Sequence, residues 1–156
     1  MLSDKAKSEI TESLKKYTNK RSACMDALRI AQAEASNNIT KAAMEEIAGI
    51  LGMKPVEVNA VATFYTMYNV KRPVGEYHIQ VCRNISCSLL GAEHLIKHME
   101  NVLGIKTGAT TPDNKFTLKT VECLGSCGTA PMMQINDDFY ESLTKEKIDA
   151  ILKDLK

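Results

Sequence analysis

Two stretches decide the fold: YHIQVCRNISC, residues 77–87, and FTLKTVECLGSC, residues 116–127. In the first, Tyr77, Ile79 and Val81 alternate with His78, Gln80 and Cys82, the period-two pattern of a strand. In the second, Phe116, Leu118 and Thr120 alternate with polar neighbours, and the strand ends near Cys123. Each strand runs into a loop carrying two cysteines, Cys82 and Cys87 in one case and Cys123 and Cys127 in the other. Between them, residues 88–103 read as one helix with Ala92, Ile96, Met99 and Leu103 on a face and Gly104 as its stop. Thr111-Pro112-Asp113-Asn114 is a loop. A strand–helix–strand unit of this kind joins parallel strands through a right-handed crossover. Adjacent parallel strands lie about 4.8 Å apart, so both cysteine loops leave the carboxyl edge of the sheet, where open α/β sheets build their sites. Topology gathers four thiols from distant parts of the chain into one place.

Working outward, residues 132–135 predict a third strand. Asn136-Asp137-Asp138 turns the chain into a fourth, at Phe139-Tyr140. Thr144 caps a last helix with Ile148, Ile151, Leu152 and Leu155 inside. Upstream, residues 1–70 read as helix throughout. Ile10 and Leu14 share a face in a weak first helix, and Cys24, Leu28, Ala31 and Ala35 form the stripe of the second. Met44, Ile47, Ala48 and Leu51 mark the third, which Gly52 stops. Pro55 suits the first position of the fourth, with Val58, Val61, Ala62 and Tyr65 inward. The expectation is a small bundle built around helices two to four. Composition then changes at Val70-Lys71-Arg72-Pro73-Val74-Gly75, which reads as a linker. The whole is an α+β chain: an N-terminal helical bundle, residues 1–70, followed at 71–156 by a thioredoxin-like four-stranded mixed sheet. Its helices flank the sheet on both sides or sit together on one.

Composition excludes several functions. The 156 residues carry 20 Lys plus Arg against 19 Asp plus Glu, a net charge of +1 that gives no general attraction to nucleic acid or an anionic membrane. Hydrophobic residues at 44% and charged residues at 25% argue against wholesale disorder. No apolar run approaches the ~20 residues of a membrane-spanning helix. The opening MLSDKAKSEI has no apolar core of a signal peptide. We expect a cytoplasmic protein with no direct membrane insertion. In that reducing compartment, paired cysteines point to a metal site or redox chemistry rather than structural disulfides.

The cysteine spacings are C-x4-C and C-x3-C, separated by 35 residues. Structural zinc sites favour the shorter C-x2-C knuckle, which clamps a single ion. Looser loops suit a larger group with two metal centres, and the plant-type ferredoxin spacing is absent. Gly125 and Gly128 allow positive φ, so backbone N–H groups can approach sulfur, and Ser86, Ser88 and Ser126 offer further donors. A zinc-stabilised interaction module would use the same four thiolates and stays open as an alternative. A thiol–disulfide oxidoreductase normally needs C-x2-C at a helix start, and neither pair has that spacing.

The stretches VATFYTMYNV, CRNISCSLLGAE and VECLGSCGTAPMMQIND resemble the thioredoxin-like [2Fe–2S] subunit family. That family includes the small peripheral subunit of complex I. It also includes the small subunits of NAD(P)-linked iron hydrogenases, some of them electron-bifurcating, and of some NAD-linked formate dehydrogenases. The resemblance runs from about Arg21 to Leu155 and includes the helical front half. It implies one [2Fe–2S] cluster on Cys82, Cys87, Cys123 and Cys127, with FMN and NAD(H) only on a flavin- and NAD(H)-binding partner subunit. Further iron–sulfur subunits would complete the complex. On this reading the chain is a one-electron carrier with no catalytic residues of its own. The short chain, without a C-terminal extension, resembles the hydrogenase-type members more than the mitochondrial ones, with residues 1–70 as the partner-docking part.

Other residues have plainer readings. Cys24, on the inner face of its helix, reads as a small buried hydrophobe. His94 and His98 stand at i, i+4 but lack the HExxH glutamate and fit a solvated face. Arg72 and Arg83 both fit ordinary surface charges, and Arg83, next to Cys82, has an electrostatic role on a cluster as its alternative. Met132 and Met133 read as core packing. The resemblance makes Pro131 a candidate cis proline.

Overall fold

A computed structural model describes residues 1–70 and 73–155. The expected linker at 70–75 therefore falls partly outside the described residues, as does the surface role given to Arg72. The chain divides into two compact units, Met1–Pro73 and the remainder from Val74 onward.

The first unit holds four helices: α1 (Asp4–Ser13), α2 (Cys24–Glu34), α3 (Lys41–Leu51) and α4 (Pro55–Phe64). Ser3 and Thr40 start α1 and α3 by accepting the backbone N–H of Ala6 and Ala43, both at 3.2 Å. The start of α4 is fixed from the other direction, since the Lys54 N–H donates to Glu57 Oε2 at 2.8 Å and Arg21 Nη2 holds Glu57 Oε1 at 2.7 Å. Ile10, Leu28, Ile47 and Val58 are fully buried in one core, and each such side chain contributes roughly 1.5–3 kcal/mol. The first helix is no appendage, because Leu2, Ala6 and Ile10 all enter this core. Two expected inner positions face solvent. Ala35 is exposed because α2 ends at Glu34, and Tyr65 is 39% exposed because α4 ends at Phe64. In both cases the apolar stripe continues one residue past the helix stop.

The second unit is built on β1 (Tyr77–Cys82), β2 (Phe116–Val121), β3 (Met133–Ile135) and β4 (Asp138–Tyr140), in the order β2-β1-β3-β4. β1 and β2 are parallel, with Tyr77 opposite Phe116 and Cys82 opposite Val121; β1–β3 and β3–β4 are antiparallel. This is the expected mixed sheet. Its helices are α5 (Ile85–Leu89), α6 (Ala92–Leu103) and α7 (Lys145–Asp154). Thr144 caps α7 by accepting the Lys147 N–H at 3.2 Å. Ile79, Val81, Leu118, Met133 and Ile135 share a core with Leu95 and Met99 of α6 and Ile148 and Leu152 of α7. His98 Nε2 meets Asp149 Oδ1 at 2.7 Å between the same two helices. Both long helices thus sit on one face of the sheet.

One expectation changes here. The single helix at 88–103 is two helices, α5 and α6, split at Gly91, whose φ of 92° an L side chain rarely adopts. His78, a polar position of β1, is only 4% exposed. β1 is a central strand, and at that position its second face is covered as well. Among the described residues, no helix is long and apolar enough to cross a membrane.

Candidate functional site

The parallel pairing of β1 and β2 carries the two cysteine loops out of the same sheet edge. The Arg83 N–H donates to Val121 O at 3.0 Å, extending the ladder past Cys82. Asn84 then caps α5 by accepting the Ile85 N–H at 2.8 Å, and α5 turns Cys87 inward. Cys82 and Cys87 are 3% and 2% exposed and pack with Ala92 and Met132 in a small apolar cluster, with Leu124 and Ala130 against it. The Ala130–Pro131 bond is cis, and the following Met132 carbonyl accepts the Cys82 N–H at 3.2 Å. Met132 and Met133 are both fully buried, as expected of core residues.

The second loop is open. Cys123 and Cys127 are exposed. Gly125, at φ 84°, turns the loop so that its N–H donates to Cys123 Sγ at 3.3 Å. Gly128 adopts no positive φ and lies in the short 3₁₀ turn Cys127–Thr129. Ser88 and Ser126 do not serve the sulfurs either: Ser88 Oγ donates to Arg83 O at 2.8 Å, and Ser126 Oγ bonds to Thr129 and Glu141.

The four thiols form one linked group. Burial raises the Cys82 thiol, but the backbone N–H groups of Asn84 and Leu124 and the thiols of Cys87 and Cys123 outweigh it and hold Cys82 below its ordinary value. Cys87 is pushed up, by burial first and then by Cys82, with Cys127 adding to the effect. Among the described residues, no three His, Cys, Asp or Glu side chains converge as they would around a single metal ion. The donor set fits a thiolate-held group with spread-out attachment points. Four sulfurs come from two loops, and backbone N–H groups are already directed at three of them, Cys82, Cys87 and Cys123.

Two polar contacts frame the site, and sequence reading missed half of each. Arg83 reaches Glu122 Oε1 through Nη2 at 2.7 Å and Nε at 3.1 Å, so the cation after Cys82 is tied to the anion before Cys123. The register itself carried that signal, because Arg83 and Glu122 each stand one step beyond the paired Cys82 and Val121. Glu141 accepts from Ser126 and, at 2.6 Å, from Thr129, either side of Cys127. Those hydroxyls hold its carboxyl below the usual carboxylate range. No local pattern marks Glu141.

The remaining candidates lie elsewhere. Cys24 is 3% exposed in the first unit, its thiol pushed up by burial against the opposing effect of Arg21. His94 is exposed, whereas His98 is partly buried against Asp149.

Residues 10–156 match the model of the thioredoxin-like [2Fe–2S] ferredoxin family. The chain belongs to that family. Its cofactor is accordingly a [2Fe–2S] cluster. Relatives in this family include a subunit of the NADH-quinone oxidoreductase of Rhizobium meliloti (strain 1021). That protein is 47% identical over 145 residues, 93% of this chain and 85% of the relative. The corresponding NADH-quinone oxidoreductase subunit of Rickettsia conorii (strain ATCC VR-613 / Malish 7) is 47% identical over 146 residues, 92% of this chain and 87% of its own length. The mitochondrial NADH dehydrogenase [ubiquinone] flavoprotein 2 of Dictyostelium discoideum is 44% identical over 150 residues, 95% of this chain and 60% of its own. Among solved structures, an air-oxidised NAD+-reducing [NiFe]-hydrogenase shares the fold with a TM-score of 0.70 at 24% identity. That match covers 82% of this chain and 22% of the solved one, so this chain spans about a fifth of the protein it resembles.

Proposed function

We propose that Cys82, Cys87, Cys123 and Cys127 together hold the [2Fe–2S] cluster. On this reading the chain passes single electrons between a flavin-bearing, NAD(H)-binding subunit and the other iron–sulfur carriers of an NADH-linked oxidoreductase. The observation that carries it is the meeting of four thiols at the carboxyl edge of one parallel strand pair, linked to one another and served by backbone donors. When bound, the cluster takes up and returns one electron. The residues do the rest. Cys82 and Cys87 anchor one side from within an apolar wall, and Cys123 and Cys127 present the other side to solvent. The N–H of Gly125 eases the added negative charge of reduction by donating to a ligand sulfur.

NADH delivers two electrons at once, and such a cluster accepts one, so a flavin must stand between them. The sequence has no G-x-G-x-x-G turn to hold a dinucleotide, which supports assigning NAD(H) and FMN to the partner. Residues 1–70 serve docking on this reading, and the exposed Phe64 and Met67 at the end of α4, 77% and 52% exposed, support it.

The parent assembly we favour is an NADH:quinone oxidoreductase, the name carried by bacterial relatives at 47% identity. The preference for an iron hydrogenase, bifurcating or not, rests on chain length. Length separates this chain from the Dictyostelium relative but not from the Rhizobium one, 85% of which it spans. The hydrogenase subunit is the second reading, and the formate dehydrogenase subunit the third.

The test mixes anaerobic, cluster-loaded chain with NADH, with and without the copurified flavin subunit, and follows bleaching of the visible absorbance. Bleaching only in the presence of the flavin subunit supports the reading, and fast bleaching of the chain alone overturns it. The enzyme that copurifies, quinone reductase or hydrogenase, identifies the parent.

A further inference from the structure

Nothing in the chemistry of four cysteines calls for Glu141, yet three hydrogen-bonding links run from its segment to the Cys127 turn. Its carboxylate accepts from Ser126 Oγ and from Thr129 Oγ1 at 2.6 Å, and these two hydroxyls also meet each other at 2.8 Å. The next residue, Ser142, donates its N–H to Thr129 O at 2.7 Å, and Leu143 donates to Pro131 O at 2.9 Å. The segment leaving β4 is thus fastened along 126–131, the stretch that carries Cys127 and leads to the Met132 wall of the site.

The second feature is charge. Arg83 and Glu122 cancel each other on the other flank of the site. Among the described residues no Lys, Arg or His pairs with Glu141. Its negative charge stands one residue from Cys127 through Ser126, and the neighbouring Lys147 ammonium is spent on Ser142 O at 2.9 Å and makes no ion pair with the carboxylate. Reduction adds an electron to a thiolate-held cluster, and a fixed anion nearby disfavours the added charge.

We propose that Glu141 is a positioning residue for the Cys127 side of the cluster and that its carboxylate lowers the cluster's midpoint potential. Hydroxyl donors alone could be satisfied by any acceptor. A carboxylate accepts from both at once and adds a field that no neutral acceptor supplies. This rests on the proposed function, since it needs Cys127 to be a ligand.

The experiment uses the full, cluster-loaded chain and three variants: Glu141→Gln, Glu141→Asp and Glu141→Ala. Midpoint potentials are read by EPR-monitored redox titration, and cluster retention by iron release to a chelator. Glu141→Gln keeps an acceptor oxygen without the charge, so its potential rises while retention stays near wild type. The expected rise is modest, a few-fold change at most in the reduction equilibrium, because Glu141 is exposed and solvent screens its charge. Glu141→Asp keeps the charge on a shorter arm, so the potential stays near wild type while iron is released faster. Glu141→Ala loses both, with a raised potential and fast release. A wild-type potential in Glu141→Gln overturns the electrostatic role, and wild-type retention in Glu141→Ala overturns the positioning role. If Glu141→Ala fails to fold, the Gln and Asp variants still decide. A wild-type chain with no [2Fe–2S] signal at all would instead sink the proposed function.

Discussion

Cys82 and Cys87 are 3% and 2% exposed, whereas Cys123 and Cys127 lie open to solvent, although each pair follows a strand of the same parallel ladder. The first pair is held by packing: α5 turns Cys87 under Ala92 and Met132, and the sheet brings Cys82 to the same wall. The second pair is held by hydrogen bonds, from Gly125 to Cys123 and from the Ser126–Thr129–Glu141 set around Cys127. The contrast teaches that cysteines of equal proposed role can have unequal structural duties. One loop is packed into the core. The other is shaped by polar contacts and faces outward.

The largest expected effect tests both halves of that contrast. Replacing any one of the four cysteines with Ser abolishes the normal cluster spectrum, while Cys24→Ala leaves it intact. The apoproteins then separate the pairs. Cys82→Ser and Cys87→Ser bury a hydroxyl and cost on the order of 1–3 kcal/mol relative to wild-type apoprotein. Cys123→Ser and Cys127→Ser cost within about 0.5 kcal/mol. Denaturant melts of the four apoproteins give the answer, and equal costs would erase the distinction between packed and exposed loops.

The other end of β1 supplies a counter-case, a buried polar group with no partner. Among the described residues nothing hydrogen-bonds His78 Nε2. Burial, helped by Lys119, lowers its pKa from 6.5 to about 4. A neutral His78 is favoured in the folded state, so its contribution is fully present above pH 6.5 and is lost as the pH falls toward 4. The loss amounts to about 3 kcal/mol. Denaturation at pH 7.5 and pH 5 should show wild type weakening more steeply than His78→Phe, and parallel pH profiles would remove His78 from the account.

A smaller effect concerns thiol access. In apoprotein, a maleimide should label Cys123 and Cys127 faster than Cys82, Cys87 or Cys24, by on the order of tenfold. Peptide mapping after short labelling times reads this directly. Uniform labelling would mean that the packed pair opens as readily as the exposed one.

Arg83 should matter least. It is 56% exposed and paired with Glu122. A unit charge about 8 Å away in a water-like dielectric is worth about 0.5 kcal/mol, on the order of 20 mV for one electron. Arg83→Ala should lower the midpoint potential by that amount and Glu122→Gln should raise it. The double variant should return it to wild type, since the pair is neutral. A double variant displaced as far as either single one would show that the pair acts by holding the two loops together.

Period two is enough to locate β1 and β2, and their parallel pairing carries both cysteine loops to one edge of the sheet. Alternation says nothing about whether a strand's second face is covered, so the burial of His78 is not legible in it. The five residues of α5 are too few to show a helical period, so it merges with α6 across Gly91. The stripes ending at Ala35 and Tyr65 run past their helices because an apolar residue after a stop looks like one before it. Glu141 is invisible for a different reason. Its partners lie 15 and 12 residues upstream, brought back by the β3–β4 reversal, and no local pattern records that return.

The most direct measurement counts electrons, spins and metal on one anaerobic sample of the wild-type chain. Two iron and two acid-labile sulfide per chain are expected, with one electron taken up in a reductive titration and one S = 1/2 signal in the reduced EPR spectrum. One zinc per chain with no reducible chromophore, or an intact signal after loss of any of Cys82, Cys87, Cys123 or Cys127, would contradict the four-thiolate cluster.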